Sequence, residues 1–347
     1  MSVALPLRDN RAHRVRIGLV ALLVLVCLAS VAVGASGVSP VRVLGDLVSG
    51  RGVALLDKVV LLDIRLPRLA MGALVGAALA VCGTLLQGLF RNPLADPGII
   101  GISSGASLGA VAAFVLGGLI PGAALLGAWL VPIMAAVTAW ATVTLLYRVA
   151  TRGVQTSVAT LLLAGIALAA MASALTGIMV YLADDRQLRD LTFWSMGSLA
   201  GASWHKIGLG AVLVAPVLLL APRLAAGLNA LALGEAAAAH MGTDVERLKR
   251  HTVLAVAAAA GASVALSGGI GFVGIVVPHL LRLANGPDHR RLLVDAALLG
   301  AALLIAADMV ARLIVAPAEL PIGIVTAILG APVFLWILMR RRGFGGL

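Results

Sequence analysis

Long runs of apolar residues, separated by short polar connections, organise the whole chain. A helix needs about 20 mostly apolar residues to cross the hydrocarbon core of a bilayer. By this criterion the pattern predicts ten helices, at about residues 17–36, 66–89, 98–119, 123–146, 158–182, 204–221, 251–268, 270–284, 292–315 and 321–339. The predicted fold class is therefore all-α, a polytopic membrane protein with about ten transmembrane helices in a single transmembrane domain, residues 1–347.

The eighth apolar run, at about 270–284, differs from the others. It is short, Gly271, Gly274 and Pro278 interrupt it, and a glycine pair at 268–269 precedes it. Irregular backbone at membrane depth persists only where protein buries it or where it lines a cavity. We therefore expect this segment to lie inside the bundle rather than to cross lipid alone.

The connection at 183–203 has a helical pattern of its own. Asp184 and Asp185 stand where a helix N-cap is expected, and Leu188, Leu191 and Trp194 follow at helical spacing. The pattern predicts a short amphipathic helix, within about 184–200, lying on the outer, periplasmic face of the membrane.

The longest inner connection, at about 222–250, is rich in alanine, a strong helix former. Gly234 and Gly242 interrupt it, and glycine often ends a helix. We predict two short helices joined by a turn. A structured loop of this kind suits the docking of a partner protein.

Composition agrees with a membrane protein, since 61% of the residues are hydrophobic and 12% are charged. The mean hydropathy is +1.08. The net charge of +11 comes from small basic groups between apolar runs, which is typical of topology signals and lipid headgroups rather than of nucleic-acid binding. Placing the N-terminus in the cytoplasm puts most basic residues inside, so we predict that both termini are cytoplasmic.

Nine of the 26 basic residues fall on the predicted outer side and do not follow this charge bias. Arg65, Arg68 and Arg312 fall on the predicted outer side, where they cannot act as topology signals. Asp308 precedes Arg312 by four residues on the ninth helix, a spacing that suits an intrahelical ion pair. Another function must account for Arg65 and Arg68.

The sequence has no phosphate-binding loop, because G-x-x-x-x-G-K-[ST] is absent and no lysine precedes Ser or Thr. If transport uses ATP, a partner chain must supply the ATPase. The alternative is an ion-coupled secondary carrier, which usually keeps acidic groups near mid-membrane. Asp295 and Asp308 instead lie near the ends of the ninth helix.

The sequence gives little support for a hydrolase site or a metal site. The string at 101–105 matches G-x-S-x-G, but that hydrolase motif requires a strand, a turn and a helix, and here it opens a membrane helix. Close packing of small residues is the better interpretation, and an intact function in Ser103→Ala would exclude a hydrolase. Cys27 and Cys82 lie in apolar runs and the six histidines at helix ends or in loops, so we predict no metal site.

Five stretches of the sequence resemble the FecCD family of ABC importer permeases, which carry iron-siderophore complexes, haem and vitamin B12. The matching stretches are 65–110, which begins RLPRLAMG, and 161–168, 233–242, 268–283 and 307–338. The resemblance implies a type II ABC importer permease fold in the bacterial inner membrane. It also implies a second permease subunit, expected to be identical, an ATPase dimer and a periplasmic binding protein. ATP and Mg would bind to the ATPase, and no cofactor to this chain.

The resemblance also assigns residues to the inner side. In this family the loop after the sixth helix docks into the ATPase, and the matching positions are Leu233, Gly234, Glu235, Ala236, His240, Met241 and Gly242. The fifth helix and the loop before it line and gate the path, which points to Gln155, Ser157 and Thr160. The gate sequence departs from that of the vitamin B12 permeases.

On the outer side, arginines of vitamin B12 permeases pair with glutamates of the binding protein. The matching positions here are Arg65, Arg68 and Arg312, so the resemblance implies that they dock the binding protein. Guanidinium groups suit such oriented pairing with carboxylates. Anchoring to lipid headgroups is the alternative.

The segment 181–204 is most similar to the haem permeases of the family, so haem is the expected cargo. Ferric siderophores and vitamin B12 remain the alternatives.

Overall fold

The computed structural model describes residues 4–34, 38–49, 52–98, 100–152 and 155–342. These residues form a helical bundle with one small hairpin. In chain order the elements are α1 Ala4–Ala32, α2 Pro40–Val48, α3 Leu55–Leu89, α4 Ile102–Leu116, α5 Ala123–Leu126, α6 Leu130–Ala150, β1 Thr151–Arg152, β2 Gln155–Thr156, α7 Val158–Leu182, α8 Asp185–Ser195, α9 Trp204–Leu231, α10 Glu235–His240, α11 Val245–Ser267, α12 Val273–Asn285, α13 His289–Leu313 and α14 Ile322–Arg342.

The ten predicted membrane segments each have a counterpart in the structure. Among the described residues, 8 helices are long and apolar enough to cross a membrane, and the shorter apolar helices Val273–Asn285 and Ile322–Trp336 account for the other two segments. The first helix ends at Ala32; the predicted end at residue 36 lies outside the described residues. We call the end of the bundle that carries the β-hairpin and α10 the inner end, following the predicted orientation, and the opposite end the outer end.

The predicted second helix, 66–89, is present as regular α-helix at Leu66–Leu89, but α3 extends it back to Leu55, over residues that the apolar pattern did not include. A π-helical turn at Val60–Arg65 keeps the helix continuous up to Pro67. The N–H of Leu66 donates to the carbonyl of Leu61, five residues back. Pro67 has no N–H to offer the next carbonyl, that of Leu62, and the indole Nε1 of Trp204 donates to it instead at 2.9 Å.

The prediction of two short helices within 222–250 is wrong. α9 continues through Pro222 to Leu231, and α11 already begins at Val245, so only α10 stands alone. Proline inside a membrane helix is tolerated because neighbouring groups satisfy the freed carbonyl. The inner connection is therefore shorter and more rigid than the sequence pattern suggests.

The short α12 lies inside the protein as expected. Its 13 residues span only about 20 Å, less than the hydrocarbon core. Gly268 and Phe272, both with positive φ, bring the chain into it. A Cβ on Gly268 would collide with the carbonyl of Trp194, which closes α8 against this segment.

The centre of the bundle is α3, which packs against α1, α9, α11, α12 and α13. Val75, Ala78, Leu85 and Leu86 have no exposed surface. α3 approaches α13 so closely that a Cβ on Gly76 would collide with the carbonyl of Gly300. Small residues permit such backbone approach between membrane helices.

The predicted outer helix is present as α8. Asp184 accepts a hydrogen bond from the N–H of Gln187 at 2.8 Å, and the Gln187 side chain accepts one from the N–H of Asp184 at 3.0 Å. This reciprocal capping box fixes where the helix begins.

Candidate functional site

A two-stranded hairpin joins α6 to α7 at the inner end. Thr151 pairs with Thr156 in the antiparallel register, and their hydroxyl oxygens are 3.1 Å apart. Ser157 then caps α7 by accepting a hydrogen bond from the N–H of Thr160 at 3.2 Å. The three predicted gate residues, Gln155, Ser157 and Thr160, thus lie within the second strand and the first turn of α7, with Gln155 exposed.

A groove of about 770 Å³ opens beside this hairpin. The end of α6, the hairpin and the first turn of α7 form one wall, and charged side chains of α10 and α11 form the other. The lining residues are Val149, Ala150, Gln155, Thr156, Ser157, Val158, Ala159, Thr160, Glu235, Glu246 and Lys249. The predicted gate residues and Glu235 of the predicted coupling segment therefore share one cavity.

The predicted coupling residues surround α10. Gly234, with φ of +107°, turns the chain into this helix, and Gly242, with φ of +82°, turns it out. Ala238 is fully buried and anchors the helix to the bundle. Leu233 and Met241, which flank the helix, are 70% and 55% exposed. They present apolar surface on which a partner chain can pack. Glu235, Ala236 and His240 are exposed as well.

Lys249 links the hairpin to α10. Its Nζ donates to Glu235 Oε2 at 2.8 Å, to Glu246 Oε1 at 2.9 Å and to the carbonyl of Thr156 at 2.7 Å. Glu246 Oε2 accepts from the N–H of Thr156 at 2.8 Å. Only 2% of the Lys249 side chain is exposed. A buried cation thus connects the two segments that the resemblance names as gate and coupling element.

Sequence reasoning missed Lys249 and Glu246 as site residues, and it did not single out Thr156 within the predicted gate segment, about 155–160. The spacing of Glu246 and Lys249 on a helix does predict an ion pair. The contact with Thr156, however, joins residues 93 positions apart. Nothing in the local pattern points to it, because it depends on how the hairpin packs against α11.

The predicted docking arginines come together at the outer end. Arg68 Nε contacts Asp308 Oδ1 at 2.8 Å, and Arg68 Nη1 contacts Glu319 Oε1 at 2.8 Å. Arg312 Nε contacts Asp308 Oδ2 at 3.0 Å, which confirms the predicted intrahelical pair. We call Arg68, Asp308, Arg312 and Glu319 the outer charge cluster. Sequence reasoning missed Glu319, which lies in the connection between α13 and α14.

Arg312 and Arg65 also hold α1 in place. Arg312 Nη2 donates to the Ser30 hydroxyl at 2.9 Å. Arg65 Nη1 donates to the carbonyl of Val31, in the last turn of α1, and to the carbonyl of Val38 at 3.1 Å. Because Arg65 and Arg68 are 4% and 6% exposed, the three arginines contact acceptors of this chain, and their docking role stays a prediction.

Comparison with known proteins places the chain among transport permeases. The sequence profile of the FecCD transport family matches residues 22–340. The hemin transport system permease protein HmuU of Yersinia pestis is 46% identical over 281 residues, which cover 81% of this chain and 83% of that protein. The vitamin B12 import system permease protein BtuC of Klebsiella pneumoniae subsp. pneumoniae is 42% identical over 340 residues, 98% of this chain and 97% of that protein.

A solved structure has the same fold. It is described as an inward-facing conformation of a metal-chelate type ABC transporter and has a TM-score of 0.82 at 31% identity. The match covers 93% of this chain and 98% of the other. The fold is therefore that of a type II ABC importer permease, as the sequence resemblance implied.

Proposed function

The chain belongs to the FecCD transport family, and from this premise we propose that it carries haem across the inner membrane. It is a multi-pass inner-membrane permease of an ABC importer, a class in which a separate subunit supplies the ATPase. The observation that carries the choice of cargo is the 46% identity to a hemin permease. The haem-type sequence of residues 181–204, which contains α8, supports it.

Vitamin B12 is the second candidate cargo. The relatives that import it match nearly the whole chain, at 42% identity over 98% of its length in one case. Cobalamin and haem both carry a metal ion in a large tetrapyrrole-derived ring, so a wide and weakly binding path suits either. A transporter must bind its cargo loosely enough to release it.

In the proposed cycle two copies of this chain enclose the path, with both termini in the cytoplasm. A periplasmic binding protein docks at the outer end, and an ATPase dimer, which holds ATP and Mg, docks on α10. Closure of the ATPase then shifts the permease between outward and inward access. Docking through Arg65, Arg68 and Arg312 would require a carboxylate of the binding protein to replace an internal partner, and Glu319, whose side chain is 40% exposed, is the accessible one.

Stimulation of ATP hydrolysis tests the cargo. The chain is assembled with its ATPase in lipid nanodiscs, and the binding protein encoded beside it is added empty, with hemin, with cyanocobalamin or with a ferric siderophore. We expect hemin-loaded protein to stimulate hydrolysis most. Stimulation by cyanocobalamin or the siderophore complex, with none by hemin, would contradict the haem proposal.

A further inference from the structure

The Lys249 ammonium has its hydrogen-bonding capacity fully used. A lysine side chain carries three N–H donors and no acceptor. Here the three acceptors are the Glu235 carboxylate on α10, the Glu246 carboxylate on α11 and the Thr156 carbonyl in the hairpin. Each acceptor belongs to a different element. The buried ammonium therefore binds acceptors of three elements. Its Nζ lies 2.7 to 2.9 Å from their oxygen atoms, distances that are typical of charge-assisted hydrogen bonds.

Both backbone polar groups of one hairpin residue, Thr156, bind side chains of α11. Lys249 binds the carbonyl of Thr156, and Glu246 binds its N–H. The Thr156 hydroxyl lies against that of Thr151 across the hairpin. Every polar group of Thr156 is thus engaged, and the strand leading into α7 cannot shift independently of α11.

α10 depends on the same cation. Among the residues that the structure describes, the polar side-chain contact joining α10 to another element is the one between Glu235 and Lys249. The Glu235 side chain is 45% exposed, whereas that of Lys249 is 2% exposed. The half-exposed Glu235 carboxylate at the inner surface is therefore paired with the buried ammonium group of Lys249.

We propose that Lys249 is a positioning residue of the transport cycle, which joins α10 to the hairpin so that displacement of α10 by the ATPase reaches Gln155, Ser157 and Thr160. The inference rests on the proposed function, because it takes α10 as the surface on which the ATPase acts. Without Lys249, two carboxylates face each other and the Thr156 carbonyl loses its donor. α10 and the hairpin can then move separately.

The test is the ratio of cargo imported to ATP hydrolysed in proteoliposomes containing the complete transporter. Hemin on its binding protein is the probe, or cyanocobalamin if wild type imports that instead. Lys249→Met keeps the length of the side chain and removes the charge. We expect this ratio to fall about 5- to 150-fold, the usual range of coupling between two sites, while ATP hydrolysis continues. Arg290→Met, which removes an exposed cation at the inner end, should keep the wild-type ratio.

Glu235→Gln provides a second variant in case Lys249→Met does not fold, because Glu235 is half exposed. Glu235→Gln should also lower the ratio of cargo imported to ATP hydrolysed. Because both substitutions break the same ion pair, the double variant should have a ratio close to that of the more impaired single variant. A wild-type ratio in Glu235→Gln, or a parallel fall of uptake and hydrolysis, would overturn the proposal. If wild type imports neither probe, the proposed function fails instead.

A distance measurement separates this linkage from a general structural role. Spin labels at Ala159 and Ala239, both exposed, report on the start of α7 and on α10 after Cys27 and Cys82 are replaced by alanine. In the wild-type background the distance distribution should stay narrow with and without ATP. In Lys249→Met it should broaden. An unchanged narrow distribution would overturn the proposal.

Discussion

At the scale of single residues, the buried cations of this protein each contact several acceptors. Arg68 reaches Asp308 and Glu319, and Lys249 reaches Glu235 and Glu246. A buried charge is tolerated only when it is paired and hydrogen-bonded. The sequence predicts the Asp308 and Arg312 pair, because both lie on one helix. It does not predict the Asp308 and Arg68 pair, which joins residues 240 positions apart and exists only because α3 packs on α13.

Removing Arg68 should lower the stability of the permease itself, in the absence of any binding protein. Arg68→Ala leaves Asp308 buried beside one cation instead of two. Breaking a buried pair costs about 3–5 kcal/mol when the remaining charge has no partner, and the loss here should be smaller because Arg312 stays in contact with Asp308. Thermal unfolding in detergent should show a clearly lower midpoint, whereas Arg189→Ala, an exposed arginine of α8, should change it little. An unchanged midpoint together with lost affinity for the binding protein would contradict the internal role and support docking.

Asp288, in the connection before α13, should make stability fall in acid. Burial raises the pKa of this carboxyl, but the Asn229 amide, the N–H of Arg290 and the charges of Arg291 and Arg290 outweigh burial and leave its pKa below the usual value. A lowered folded-state pKa adds stability above the unfolded pKa of about 3.9, and this stability is lost as the pH falls through the folded value. Thermal melts from pH 7 to pH 3 should show a smaller acid-induced drop in Asp288→Asn. An identical drop would contradict this account.

At the scale of elements, the apolar pattern predicted each membrane segment but misplaced some ends. The predicted sixth helix ended before Pro222, yet Pro222 lies inside α9, and Pro67, at the start of the regular α-helix of α3, follows further helical turns. Their missing hydrogen bonds are a local property, whereas the groups that compensate come from the tertiary fold, as Trp204 does for Leu62. Segments fixed by local chemistry, such as the short helix capped by Asp184, were predicted well.

The contact between α3 and α13 should not tolerate a methyl group. A Cβ at Gly76 would collide with the Gly300 carbonyl, whereas a Cβ at Gly177 on α7 has nothing within 4 Å. Gly76→Ala should therefore lower the unfolding midpoint in detergent, and Gly177→Ala should leave it unchanged or raise it slightly through helix propensity. Equal midpoints for the two variants would mean that this helix contact is looser than described.

The exposed apolar ends of α10 should be needed for assembly. Leu233→Asp and Met241→Asp place a charge where we propose that the ATPase packs, so the ATPase should no longer copurify with the permease. Phe193→Asp, which places the same charge at an exposed apolar position of α8 at the outer end, is the matched control and should leave copurification unchanged. Full retention of the ATPase in both end variants would argue against α10 as its docking site.

At the scale of the whole molecule, the outer charge cluster and the contacts of Lys249 lie at opposite ends of an apolar bundle. The outer charge cluster fixes α1, α3 and α13, and the Lys249 contacts connect the hairpin, α10 and α11. The family and fold could be predicted from sequence because the motifs run through most of the chain. The contacts by which the outer charge cluster fixes three helices, and those by which Lys249 links the hairpin to α10, could not be predicted, since they join residues far apart in the sequence.

ATP-dependent uptake of hemin into proteoliposomes tests the central claim most directly. Liposomes contain this chain with or without its ATPase, ATP inside or absent, and hemin-loaded binding protein outside. The account predicts uptake only when the ATPase, ATP and binding protein are all present, and uptake that survives ionophores. Uptake by this chain alone that collapses with an ion gradient would contradict it and identify an ion-coupled carrier.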